Sequence, residues 1–177
     1  EKEAPFEIRS YDPVIVAEVQ VEGDLDSASS QGFRLIAAYI FGQNQVSQKI
    51  AMTAPVTVEE QSIQSEKIAM TAPVGIESKA GSWTVSFVMP SQYTMETLPR
   101  PLNPQVKLRQ IPAMKRAVIT FSGFYNAQKV SEKTMELEAW MKVRSLRASG
   151  APHFARYNPP WTLPFMRRNE VMITVQD

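Results

Sequence analysis

Cysteine is absent from this chain, and histidine occurs once in 177 residues. The first absence excludes a disulfide framework, a thiol nucleophile and a thiolate metal site. The single His153 removes the commonest pairings of a nucleophile with its base. No Gly-rich phosphate loop, nucleophile elbow or HExxH is present either, so an enzyme is not expected. Neither sign of charge dominates: 19 Lys and Arg stand against 18 Asp and Glu, a net charge of +1. The clustered basic surface that nucleic acids select is missing, and no nucleic-acid partner is expected. Long apolar runs are missing as well. The longest, residues 35–41, falls far short of the ~20 residues that cross a bilayer as a helix. No transmembrane segment is expected, and the chain reads as soluble, cytoplasmic or periplasmic. It begins at Glu1, which a processed leader, a lost tag or a trimmed terminus would each explain. Nothing in the pattern sets an oligomeric state.

What is present is enough apolar material for one good core: 44% of the residues are hydrophobic, which suits one domain over residues 1–177. The most conspicuous feature is an exact repeat. KIAMTAPV occupies residues 49–56 and again residues 67–74. In each copy alternate residues are apolar, Ile50, Met52, Ala54 and Val56 being answered by Ile68, Met70, Ala72 and Val74. This spacing predicts a strand with one apolar face per copy. Pro55 and Pro73 have no N–H for a ladder, which places these strands at an edge or a bulge. The stripe serves either as ordinary core, its methionines filling gaps, or as a ligand wall. Glu59, Glu60 and Glu66 between the copies read as a solvated turn.

A second, weaker repeat spans more of the chain. Residues 6–24 (FEIRSYDPVIVAEVQVEGD) align without a gap on residues 106–124 (VKLRQIPAMKRAVITFSGF), matching Arg9 to Arg109, Ala17 to Ala117 and Gly23 to Gly123. After Gly23, Asp24 or Asp26 can cap a helix carrying Leu25, Ala28, Phe33, Ile36 and Ile40, until Gly42 ends it. After Gly123, Asn126 can cap a second helix through Leu137 and Met141, which Gly150 ends. Further strands are expected at residues 83–89, 162–166 and 170–175. A proline-rich stretch, residues 98–104, reads as an extended linker between halves of about 6–97 and 106–177. The predicted fold is α+β: a distorted antiparallel β-barrel with two helices, built from a duplicated strand-strand-helix-strand unit.

Three segments together, KIAMTAPV, SFVMPSQY (86–93) and YNPPWTLPFMRRNEV (157–171), resemble the SOUL haem-binding protein family. The likeness runs from about residue 6 to the C-terminus. The doubled KIAMTAPV resembles the bacterial branch of that family. The resemblance implies a distorted barrel with two helices. It also implies binding of haem or another tetrapyrrole in a shallow apolar cleft beside the first helix, for carriage, buffering or sensing. The same architecture is similar to effector-binding domains that hold amphipathic small molecules, which gives the alternative reading; a protein-interaction domain is the third.

A porphyrin needs a wide apolar wall and cationic donors for its carboxylates. The candidate binding set is Phe33, Arg34, Ala37, Ile40, Met52 and Leu163, with Arg167 and Arg168 as further rim cations or as partners of Glu170. Family members with a haem site carry basic residues where this chain has Ser30 and Leu163, so those contacts do not transfer. For an axial ligand the chain offers His153, read as an exposed loop residue, then Met52, Met70 and Tyr39. Burial of the disc with loose or no axial ligation fits better, and no dedicated metal site is expected.

Overall fold

The computed structural model describes residues 2–46, 65–70, 74–79, 81–158 and 161–176. In chain order the elements are β1 (Lys2–Glu3), β2 (Phe6–Tyr11), β3 (Val14–Val21), α1 (Leu25–Ile40), β4 (Asn44–Gln45), β5 (Val74–Lys79) and β6 (Ser82–Val88). There follow β7 (Arg100–Pro101), β8 (Lys107–Ile111), β9 (Met114–Phe121), α2 (Ala127–Val143), β10 (Ala148–Arg156), a 3-10 turn (Pro164–Met166) and β11 (Asn169–Val175). Nine strands form one antiparallel sheet in the order β1-β2-β9-β11-β10-β5-β6-β3-β8, and β4 pairs with β7 apart from it. The sheet curls into a half-barrel, giving the expected α+β fold.

Strand alternation decides what each face carries. Ala17, Val19 and Val21 of β3 and Val85 and Phe87 of β6 point outward and form a core with Ala28, Ile36, Tyr39 and Ile40 of α1. Ala117, Ile119, Val171 and Ile173 form the second core with Leu137 and Met141 of α2. Both helices therefore lie on the outside of the curl. Gly32 lets α1 lie close to β6, since a Cβ there would stand 2.5 Å from Val85 Cβ.

Both helix starts follow their caps. The Asp24 carboxylate accepts from the N–H groups of Asp26 and Ser27, and the Asn126 side chain accepts from that of Lys129. The first helix stops before Gly42, as its sequence predicts. The second does not reach Gly150: it ends at Val143, Ser145 takes a φ of 57°, and Leu146 N–H returns to Met141 O at 2.9 Å. Gly150 instead lies in β10, inside a register shift between Ser149 and His153.

Three further expectations are corrected. Of the second KIAMTAPV copy, residues 67–70 form no strand: Ile68 N–H bonds to Ile40 O at 2.8 Å. Ile68 is buried while Met70 is 48% exposed, so the two do not share one buried stripe. Among its described residues only Val74, the last, enters a strand. The first copy, residues 49–56, lies outside the described residues. Residues 162–166 hold the 3-10 turn rather than a strand, because Pro164 suits the first position of a helical turn and cannot donate to a ladder. Residues 98–104 are more than a linker, for Leu98 is buried and Pro99 O accepts from the Tyr39 hydroxyl at 2.8 Å.

Candidate functional site

Two surfaces gather the chemistry, one on each side of the sheet. The outer one is the exposed row of α1. Phe33 is 37% exposed and leans on Phe87, with ring centroids 5.6 Å apart. Ala37 lies one turn on but is buried, so it backs the row without presenting a wall. Ile40 is fully buried, so it belongs to the core and presents no wall to a ligand. Phe41, which the sequence reading passed over, continues the row at i+4 from Ala37 and is 56% exposed.

Exposed cations stand on α1 itself and on the segments that follow it. Arg34 is exposed on α1. Lys67 is exposed and precedes Ile68, which is bonded to the helix end. Arg100 is exposed on β7 opposite Gln45. A helix C-terminus carries partial negative charge, which favours basic side chains there. Met70, in the segment tied to the helix end, is available as a thioether. Met52 lies outside the described residues. Leu163 is exposed beside the 3-10 turn, where Pro164 O accepts from Gly123 N–H at 2.9 Å, so it extends a different part of the surface.

The remaining ligand candidates are otherwise engaged. Burial raises the pKa of Tyr39, whose hydroxyl is spent on Pro99. Arg168 binds the fully buried Glu170 at 2.6 Å and stacks over Tyr157, while Arg167 lies over Phe124 and donates to Thr162 O at 2.8 Å. Glu170 also accepts from Arg9 at 2.8 Å, from Tyr157 at 2.6 Å and from Thr120 at 3.3 Å. Burial alone would raise the Glu170 pKa, but the hydrogen bonds of Arg9, Tyr157 and Arg168 outweigh it and hold it below the usual range.

His153 is in a strand, not an exposed loop, and faces the inside of the curl, since its neighbour Phe154 packs outward beneath α2. There it lines a cleft of about 170 Å³ with Glu18, Glu77, Thr84, Ser86, Arg109 and Arg116 among others. Burial first, then the charges of Arg116 and Arg109, pushes its pKa down to about 3, so the imidazole is neutral. Within the cleft Arg109 and Glu18 form a two-pronged ion pair, with Nε to Oε1 at 3.0 Å and NH2 to Oε2 at 2.8 Å. Among the described residues Arg116 meets sulfur and a ring: Nε to Met114 Sδ at 3.1 Å, and its guanidinium 5.7 Å from the Tyr11 centroid. Burial lowers its pKa, yet an arginine keeps its charge. The sequence signal for this cleft is the polar half of each alternation, Glu18, Thr84, Ser86 and Thr174 between apolar neighbours. Among the described residues no group of three or more His, Asp or Glu is placed to hold a metal ion. No helix among them is long and apolar enough to cross a membrane.

The comparisons with known proteins agree with this architecture. The chain is 33% identical over 172 residues to Heme-binding protein 2 of Homo sapiens, covering 95% of this chain and 77% of the relative. Among solved structures, the EcmrR C-terminal domain superposes with a TM-score of 0.69 at 9% identity, over 97% of each chain. A hydrolase from Listeria innocua superposes at 0.63 with 15% identity, over 99% of this chain and 94% of its own. At such identities these two structures speak for the fold alone. The family model of the SOUL heme-binding protein matches residues 1–65 and 58–174. Matched over nearly its whole length, the chain belongs to the SOUL haem-binding family.

Proposed function

We propose that the protein binds haem or a related tetrapyrrole flat against the outer row of α1, as a carrier or buffer and not as an enzyme. The observation that carries this is the pair of exposed aromatics Phe33 and Phe41 on the outer side of α1, with exposed cations at Arg34 on the same helix, at Lys67 beside the residue bonded to the helix end, and at Arg100 on β7. An apolar disc with two carboxylates asks for such a surface. The inner cleft is the wrong size, because about 170 Å³ is close to the ~150 Å³ cavity that takes benzene, and a four-pyrrole disc cannot enter. His153 opens into that cleft and so faces away from the proposed disc. The residues present would offer a seat for the macrocycle, and the exposed Met70 thioether would be at most a weak donor to a bound metal. Bound haem would bring its own iron chemistry; the chain's part is to bury one face of the disc and pair its carboxylates.

Haemin and metal-free protoporphyrin, titrated separately into the wild type, Phe33→Asp and His153→Ala, test this. Saturable one-to-one binding of both ligands, lost in Phe33→Asp and kept in His153→Ala, is the expected result. Failure of both porphyrins to bind below tens of micromolar, about 6 kcal/mol, would end the proposal.

A further inference from the structure

The cleft inside the curl contains an unusual charge arrangement. Four charged side chains line it, Glu18, Glu77, Arg109 and Arg116. Two of them, Arg109 and Glu18, are committed to each other. The other two are not. Among the described residues Arg116 has no carboxylate within ion-pair reach, its nitrogens meeting Met114 and Met172 sulfurs at 3.1 and 3.9 Å. Its cross-strand neighbour Arg9 takes the two carboxylates nearby, Glu7 and Glu170, and leaves none for it. Glu77 likewise has no ion pair among the described residues, although it faces the same space from β5, opposite His153 on one side and Thr84 on the other.

One unpaired cation and one unpaired anion on the wall of a small cleft form a site for a molecule that carries both charges. An arginine fork accepts a carboxylate with two parallel bonds, and a glutamate accepts an ammonium. Between them stand Thr84, Ser86 and Thr174 hydroxyls and the neutral His153 imidazole, each able to donate or accept. Ile111 and Met114 supply an apolar wall. A space of about 170 Å³ excludes drug-sized ligands, whose pockets run ~300–1,000 Å³, and suits a molecule of the size of a free amino acid. Formation of two ion pairs in a partly desolvated site also relieves the unpaired state of both charges.

We propose that the interior cleft binds a small zwitterion of the amino-acid class, its carboxylate on Arg116 and its ammonium on Glu77. The site is separate from the porphyrin seat, with the sheet between them, and its occupancy does not depend on haem.

Isothermal titration of the intact chain with a panel of α-amino acids, β-alanine and γ-aminobutyrate is the test, with the N-acetyl and amide derivatives of any ligand that binds. The expected result is saturable binding of at least one zwitterion at millimolar concentration or tighter. It should fall at least tenfold in Glu77→Gln, in Arg116→Lys, and for both derivatives. Haemin binding, unchanged in the two variants, serves as the check that they fold. Equal binding of the N-acetyl form would show a plain anion site and equal binding of the amide a plain cation site, and either overturns the proposal. So does the absence of saturable binding across the panel.

Discussion

The imidazole of His153 rests against the backbone of Gly75, so closely that a Cβ at residue 75 would stand 2.2 Å from its Nε2 and 2.8 Å from Ser86 Oγ. The strand can pass beneath this ring only without a side chain. Gly75→Ala should therefore cost about 1–3 kcal/mol by overpacking, a fall of several degrees in Tm. Adding His153→Ala should recover part of it. A wild-type Tm for Gly75→Ala in calorimetry would show that the contact is not tight.

His153 is the only histidine, so its ring signals can be followed alone by NMR. With a folded pKa of about 3 against ~6.5 for a free histidine, it should show no titration between pH 8 and pH 5. The sign follows: the unfolded chain takes up a proton near pH 6.5 that the folded chain refuses. This group thus lowers stability progressively as pH falls from ~6.5 towards 3. His153→Gln should flatten that part of the stability profile. A midpoint near 6.5 in the folded protein would contradict the buried, Arg-flanked setting.

Glu170 is fully buried and bound by Arg9, Arg168, Tyr157 and Thr120. Its removal in Glu170→Ala leaves Arg9 without this partner, and breaking a buried pair in this way costs roughly 3–5 kcal/mol. Because its pKa is held below the usual range, its contribution is present above pH ~4.5 and is lost as pH falls through the folded value. Acid denaturation of the wild type and of Glu170→Gln should therefore differ most at neutral pH and converge in acid. Parallel curves would argue against the assignment.

Phe33 and Ile40 should separate binding from stability. Phe33→Ala should weaken haemin binding by roughly 1–2 kcal/mol, about tenfold, and lower Tm less than a core truncation does, since the ring is partly exposed and loses its packing on Phe87. Ile40→Ala cuts into a fully buried side chain and should cost about 2–5 kcal/mol of stability. The reverse pattern, in paired titrations and melts, would move the seat off the outer row.

Local chemistry made much of this fold readable. The caps Asp24 and Asn126, the alternation in residues 14–21 and 114–121, and the apolar residues 83–89 all act within a few positions of themselves. What escaped the sequence was set at a distance. Residues 150–155 read as a loop because Gly150 and Pro152 weaken any strand signal, yet pairing with β5 and β11 draws them into the sheet. Residues 67–70 alternate like a strand, but the Ile68 N–H is taken by the end of α1. On the outer seat Phe33 and Arg34 are where helical spacing puts them, whereas Ala37 and Ile40 turn inward and Phe41 outward, a choice made by the core. The cleft was least legible, its charges coming from four strands, β3, β5, β8 and β9, that meet only when the sheet curls.

The sheet order also bears on how the chain folds. The first strand pair is split: β3 lies between β6 and β8, while β2 lies against β9. The later pair is split the same way, so each half lends a strand to the other. Neither half can close its own sheet, and Arg9 reaches Glu170 across 161 positions of chain. Such high contact order favours slow folding. During synthesis, the amino-terminal strand must wait for β9, and Arg9 for the last strand.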